Sequence, residues 1–345
     1  MTKLIIQIPC YNEAETLGIT LDALPRAVPG FDTVEWLIID DGSTDDTVAV
    51  ARARGVDHIV QLPHNRGLAR AFMAGLNASL LHGADVIVNT DADNQYRAED
   101  IPSLVAPVLN GEADIVVGAR PIEEIGHFSP VKKVLQRIGS WVVRQASQTA
   151  VVDAPSGFRA MSREAAMRLN VFNRYTYTLE TIIQAGNKNM AIVTVPVSVN
   201  EDLRPSRLVK SVPDYIRRSL ITIVRISITY QPFRTFVWPG AIAAIAGFLI
   251  GLRFLYLFMQ GMGEGQIQSL LLGSALLLIG SFLITLGMVA ELIGVNRILL
   301  EDARWHVIDL ECRLQELEGK REPSPRADAS PLALRATEDE RPPGG

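Results

Sequence analysis

Apolar and polar positions follow two alternating periods through the first half of the chain. Short apolar runs at residues 4–8, 34–39, 58–62, 84–88 and 114–118 have strand length, and most are rich in β-branched residues. Between them apolar residues recur at helical spacing. Ala14, Leu17, Leu21 and Leu24 share a face after the first run, Val48 and Ala51 follow the second, and Ala71, Gly75 and Leu76 follow the third. A further helix is expected at 100–109, a long one at 132–147, and two more at 163–169 and 178–185. A loop at 153–159 leads into another strand. Pro196 interrupts the apolar run 191–199, which places that strand on a sheet edge. Strands alternating with helices predict an α/β domain with a mainly parallel sheet.

The pattern changes after residue 203. Between 204 and 234 Arg204, Arg207, Lys210, Arg217, Arg218, Arg225 and Arg234 accompany apolar residues at helical spacing, as expected of basic amphipathic helices on an anionic membrane surface. Two apolar stretches follow, at 235–259 and 267–293, each with the ~20 residues needed to cross a ~30 Å hydrocarbon core. The connector 260–266 lacks Lys and Arg while the flanks carry them, so the positive-inside rule predicts a multi-pass cell-membrane protein with its N-terminal domain and C-terminus in the cytoplasm. Arg253 and Glu291 fall near the outer and inner ends of the spans, as interfacial residues. An amphipathic helix at 296–319 carries Leu299, Trp305, Ile308, Leu310 and Leu314 and is expected to hug the membrane or self-associate. The Pro-rich, charged tail 320–345 is expected to be disordered. The chain shows no internal repeat. Its expected organisation is therefore 1–203, 204–234, 235–259, 267–293, 296–319 and 320–345.

Composition narrows the function classes. Of 345 residues 48% are hydrophobic, consistent with a chain only part of which is soluble, and a formal net charge of −5 argues against nucleic-acid binding through a basic surface. Cys10 and Cys312 lie far apart in unlike contexts, so reduced thiols are expected rather than a disulfide or a cysteine metal site. The first apolar run is too short for a signal-peptide core, and Gln7 and Pro9 interrupt it, so the N-terminal region is expected to stay where it is made.

Candidate chemistry centres on residues 87–96, IVNTDADNQY. Asp91 and Asp93 leave a strand end together with only Ala92 between them. A hard cation such as Mg2+ commonly keeps one or two carboxylates and takes further oxygens from substrate phosphates. Asn12, Asp40 and Asp41 also sit at predicted strand ends, where α/β sheets bind ligands, so these groups are expected to line one cleft. Arg120, Arg204 and Lys210 are candidates to neutralise phosphate. Acidic, metal-ready groups in a domain held against a membrane suggest a soluble nucleotide-diphosphate sugar meeting a lipid phosphate.

Five motifs in this order, PCYNE at 9–13, DDGSTD at 40–45, HNRGLARAFMAG at 64–75, DADNQ at 91–95 and DAPSGFR at 153–159, resemble the inverting GT-A glycosyltransferases. Over residues 3–236 the chain is most similar to the dolichol-phosphate mannose synthase and polyprenyl-phosphate glycosyltransferase group, whose bacterial members share the two C-terminal spans. The resemblance implies a GT-A, Rossmann-like domain in which Pro9, Tyr11, Glu13, Ile38 and Asp40 hold the nucleotide. It implies that Asp91, Asp93 and Gln95 ligate Mg2+ or Mn2+ beside Ala92, and that Arg120, Arg204 and Lys210 grip phosphates of donor or acceptor. Asp153 would lie near the acceptor; as a purely structural acid it would instead pair with Arg159. The implied reaction is a single in-line displacement at the anomeric carbon by a phosphate oxygen of a polyprenyl (undecaprenyl or dolichyl) phosphate, with inversion. Such an acceptor is ionised near neutral pH, because its second pKa is ~6, so no strong base is required. Donors of the GDP-mannose and UDP-glucose types both remain open, and the spans or the helix at 296–319 leave room for a homo-oligomer.

Two other functions share parts of this pattern. A processive polysaccharide synthase of the same superfamily needs a Gln-X-X-Arg-Trp element, but Arg304 and Trp305 follow the last span and have Glu301 where Gln would stand. A non-catalytic nucleotide-sugar-binding scaffold in the membrane is disfavoured by intact Asp91, Asp93 and Gln95.

Overall fold

The computed structural model describes residues 2–121, 144, 147, 149, 151–171, 177–200, 221, 224–225, 228–261 and 267–320. Most of the helix expected at 132–147, most of the basic stretch 204–234, most of the connector and the tail beyond 320 lie outside the described residues.

Four parallel strands form one half of the sheet: β1 (Lys3–Cys10), β2 (Thr33–Asp40), β3 (His58–Gln61) and β4 (Val86–Asn89). With β5 (Ile115–Ala119), β6 (Arg159–Ser162) and β7 (Ile192–Pro196) they make a seven-stranded sheet in the order β3-β2-β1-β4-β6-β5-β7. Only β6 runs against its neighbours, pairing antiparallel with both β4 and β5. The strand bearing Pro196 is at the sheet edge, as its composition predicts.

Helices cover both faces, which is why β1 and β4 are apolar at consecutive positions rather than alternating with polar ones. On one face Ile5, Leu37, Ile39 and Ile87 pack with Phe72, Leu76 and Leu80 of α3 (Leu68–Leu81), and with Ile182 and Ile183 of α6 (Thr178–Asn187). On the other, Leu4, Ile6, Ile8, Ile38 and Val88 pack with Leu17 and Leu21 of α1 (Ala14–Ala23) and with Leu104 of α4 (Ile101–Leu109). The two sets interleave residue by residue along β1, the period-two rule of a strand. α2 (Thr47–Ala53) and α5 (Arg163–Arg168) complete the layers. Cys10 and Cys312 are both buried and form no disulfide.

Among the described residues two helices are long and apolar enough to span a membrane: α7 (Pro232–Met259) and α8 (Ile267–Lys320). Their most apolar windows are only 6% and 11% buried, the reverse of a soluble core helix. α8 contains no proline and continues unbroken for 54 residues, so the apolar stretch 267–293 and the amphipathic segment 296–319 belong to one helix. Its amphipathic part lies on the α/β domain rather than apart from it. Trp305 and Ile308 pack on the core beneath α3, Cys312 is buried beside Leu80, and Arg304 donates to the Leu169 carbonyl at 3.0 Å.

The two long helices meet through glycines. Gly240 and Gly247 on α7, and Gly273, Gly280 and Gly287 on α8, are spaced by seven residues. A Cβ on Gly247 would stand 2.6 Å from the Gly273 carbonyl, and one on Gly280 would stand 2.6 Å from Ala244 N. The backbones are therefore in contact, a packing that small residues permit and that side chains would forbid.

Candidate active site

The cleft lies where β1 has β2 on one side and β4 on the other, so that successive connections leave in opposite directions. Its first wall is made of two interlocked loops. After β1 the backbone turns at Asn12, whose φ of 54° places it in the left-handed region that Asn tolerates. Asn12 N donates to Ser43 Oγ at 2.9 Å, and its side-chain oxygen accepts from Thr44 N at 2.8 Å. Glu13 N donates to Thr47 Oγ1 at 2.9 Å. Asp40 receives the Ser43 amide at 3.0 Å. Asp41 turns both oxygens to the amides of Arg66 and Gly67, each at 2.8 Å, anchoring the loop that opens α3. Gly42 is required here: its φ is +73°, and a Cβ would lie 2.6 Å from the His64 carbonyl carbon.

The second wall is the turn after β4. Thr20 Oγ1 holds the Ala92 carbonyl at 2.9 Å, Asp93 Oδ1 accepts from Gln95 N at 3.2 Å, and Asn200 donates from its side chain to the Asn94 carbonyl at 2.9 Å. Asp91 and Asp93 both keep an accessible edge. Burial, and then the neighbouring Asp93, push the Asp91 carboxyl up to about 7, with Arg120 opposing the shift.

Behind Asp91 stands a buried polar lattice. Gln7 donates to Asn89 Oδ1 at 2.9 Å, and Asn89 Nδ2 donates to the Gly157 carbonyl at 2.9 Å and to the Tyr177 hydroxyl at 2.8 Å. Gly157 N donates to Tyr96 Oη at 3.1 Å. Phe72 stacks on Tyr177 at 3.9 Å, and Phe158 on Tyr96 at 5.0 Å. Gly157 faces the acid directly: a Cβ there would lie 3.0 Å from both Asp91 Oδ2 and Tyr177 Oη.

Arg120 leaves the end of β5 and meets Asp153 through two parallel bonds, Nε to Oδ2 at 2.7 Å and Nη2 to Oδ1 at 3.1 Å. Asp153 is fully buried. Its partner is thus Arg120 rather than Arg159. Arg159, also fully buried, grips the loop itself, donating to the Ser156 and Ala154 carbonyls at 2.9 and 2.8 Å and to Thr181 Oγ1. Burial pushes its guanidinium down to about 10.

Among the residues expected at the site, Pro9, Glu13 and Asp40 stand at the ends of β1 and β2, and Tyr11 is exposed at the rim. Ala92 is buried under the turn, and Ile38 packs wholly within the core, so its side chain does not reach the cleft. Asp91, Asp93 and Gln95 share one turn, with Arg120 and Asp153 beside it. Arg204 and Lys210 lie outside the described residues. Asn89 and Tyr96 fall inside the stretch 87–96 and Gly157 inside the motif 153–159 without a role assigned to them, and Tyr177 falls outside every motif. A polar signal did exist: Gln7 and Asn89 interrupt apolar strands and stand opposite one another in register.

Among the described residues no three His, Cys, Asp or Glu side chains form a ready metal cage. Two carboxylates and an amide oxygen nevertheless suit a hard divalent cation that draws its other oxygens from phosphate, and the elevated Asp91 marks a place where positive charge is wanted.

A mixed, mostly parallel sheet of this order is the GT-A, Rossmann-like fold. The chain belongs to glycosyl transferase family 2, whose model matches residues 5–169; it is a glycosyltransferase. An uncharacterised glycosyltransferase of Mycobacterium tuberculosis is 33% identical over 196 residues, covering 56% of this chain and 83% of its own. The undecaprenyl-phosphate mannosyltransferase of Micrococcus luteus is 29% identical over 217 residues, covering 60% and 87%. Glucosyl-3-phosphoglycerate synthase from Mycobacterium tuberculosis, crystallised with Mn2+, UDP and glucosyl-3-phosphoglycerate, shares the fold with a TM-score of 0.53 at 23% identity, over 66% of this chain and 80% of that one.

Proposed function

We propose that this protein is a membrane-bound inverting glycosyltransferase that moves a sugar from a nucleotide-diphosphate sugar to a polyprenyl phosphate, yielding a polyprenyl-phosphate monosaccharide. The observation that carries the reading is the proximity of the two halves. α8 meets the α/β domain at Arg297, next to Glu180, and Glu180 is one helical turn from Tyr177, which touches the lattice behind Asp91. A cleft for a soluble donor thereby sits close to the end of an apolar helix pair. The name of the Micrococcus luteus relative supports a polyprenyl phosphate as acceptor.

Both long helices start or end at the α/β domain, since α7 follows Tyr230, which bonds Arg297 on α8 at 2.8 Å. Two spans of a hairpin then return the chain to the side it left, with the α/β domain and C-terminus cytoplasmic by the charge rule. Exposed Trp238, Ile242, Phe248, Leu249 and Phe282 face hydrocarbon in this arrangement.

Asp91 and Asp93, with Gln95, would hold Mg2+ or Mn2+. When bound, the cation supplies Lewis-acid stabilisation of the diphosphate leaving group. Asp40, Glu13 and Tyr11 border the nucleotide side. Asp153 keeps the Arg120 guanidinium aimed beside the acids, where its remaining N–H groups can meet phosphate oxygens. The acceptor phosphate attacks the anomeric carbon as an anion, so the residues have to orient it rather than remove a strongly held proton.

Membranes containing the protein, incubated with polyprenyl phosphate, Mg2+ or Mn2+ and a panel of radiolabelled nucleotide sugars, test this. Label from one donor should enter the organic phase and vanish in Asp91→Ala/Asp93→Ala. Nucleotide binding without transfer from any donor favours the scaffold instead.

A further inference from the structure

The contact between α8 and the α/β domain is more than apolar packing. Glu301 is 8% exposed and lies between two cations, Lys188 Nζ at 2.9 Å and Arg297 Nε at 2.9 Å. Arg297 Nη2 donates to the Tyr230 hydroxyl at 2.8 Å and stands 3.9 Å from Glu180, and Tyr230 donates to Glu180 at 2.9 Å. Lys188 also donates to the Arg168 carbonyl at 2.6 Å. Tyr230 just before α7, both ends of α6 and α8 are therefore tied together. Farther along α8, Arg304, Trp305 and Cys312 extend the contact to α5 and α3 over about 22 Å of helix.

We infer that the cytosolic half of α8 is a strut that holds the cleft at a fixed height and angle to the bilayer, with Arg297 and Lys188 as positioning residues for transfer to a membrane-embedded acceptor. This rests on the polyprenyl-phosphate reading above. The helix runs unbroken through Gly294, between its apolar and docked parts, so what fixes the docked part also fixes the domain relative to the apolar part. Removing Arg297 leaves Glu301 with Lys188 and Glu180 with Tyr230 and Gln184, and cuts the link between the two groups, which loosens the tie without touching Asp91, Asp93 or Arg120. A lipid phosphate can move only in the plane of the bilayer, so a tilted domain cannot follow it, whereas a soluble acceptor reaches the cleft from any direction.

The test compares two acceptors in full-length protein reconstituted in bilayers: a long-chain polyprenyl phosphate and a short, water-soluble prenyl phosphate. Arg297→Ala, and separately Lys188→Ala, should lower transfer to the long-chain acceptor by about tenfold or more while transfer to the soluble one changes by less than about twofold. Nucleotide affinity and melting temperature are measured on the same samples. An equal fall for both acceptors means a merely structural role and overturns the strut, as does no fall for either. Wild-type protein that labels neither acceptor overturns the polyprenyl-phosphate reading and the strut with it.

Discussion

Asp91 should destabilise the ligand-free protein above pH 7. Burial and Asp93 raise its carboxyl from the ordinary 3.8 to about 7 in the fold. A folded-state pKa above the unfolded one means that the fold binds the extra proton between these values, so the stability this group contributes is complete below 3.8 and lost as pH rises through about 7. At about 1.4 kcal/mol per pH unit the interval amounts to ~4 kcal/mol. Asp91 keeps an accessible edge, so water screens part of the penalty and about 2 kcal/mol is expected. Asp91→Asn has no such titration. In detergent with a chelator, its unfolding free energy in denaturant should exceed that of wild type at pH 8 by this amount, and the difference should shrink towards pH 4. Adding Mn2+ at pH 8 should raise the melting temperature of wild type and leave the variant unmoved, and wild-type Mn2+ affinity should fall about tenfold per pH unit below 7. A variant less stable than wild type at pH 8, or a difference that does not change with pH, refutes this account of Asp91.

Three other changes probe separate parts of the molecule. Asp153→Asn leaves the buried Arg120 guanidinium without its counter-charge and should lower the unfolding free energy by roughly 3 kcal/mol in chemical denaturation. Gly157→Ala places a methyl 3.0 Å from Asp91 Oδ2, so Mn2+ affinity measured calorimetrically should fall by about tenfold with circular dichroism unchanged. His82 stacks on His58 at 3.7 Å, and burial followed by the His58 charge holds its pKa below the usual 6.5. Stability should therefore decline as pH falls below 6.5, and His82→Gln should flatten the melting-temperature profile in that window.

Much of this was legible from local chemistry. Apolar runs ending in acids identify strands and the edge where ligands bind, because side chains alternate along a strand and the carboxyl ends of parallel strands share one rim. That places Asp40, Asp91 and Asp93 without any knowledge of packing. Two apolar stretches of membrane-crossing length were likewise visible, since that property depends only on composition and length. The seven-residue glycine spacing on α7 and α8 was present too, but its meaning depends on the helices facing each other.

Partnerships across long separations were decided by tertiary structure. Asp153 shares a short motif with Arg159, yet β5 delivers Arg120 to it, because β6 inserts antiparallel between β4 and β5 and brings loop 153–157 over the end of β5. Arg159 then turns inward to the carbonyls of its own loop. The lattice of Gln7, Asn89, Gly157 and Tyr177 draws on four separate elements, and no periodicity links them. The amphipathic face at 296–319 shows that something must cover it; the fold packs Trp305 and Ile308 on the α/β core and leaves Leu299, Leu310 and Leu314 exposed. A hydrophobic pattern states what each segment must bury, and the partner is chosen by which other segments the sheet order carries to the same place.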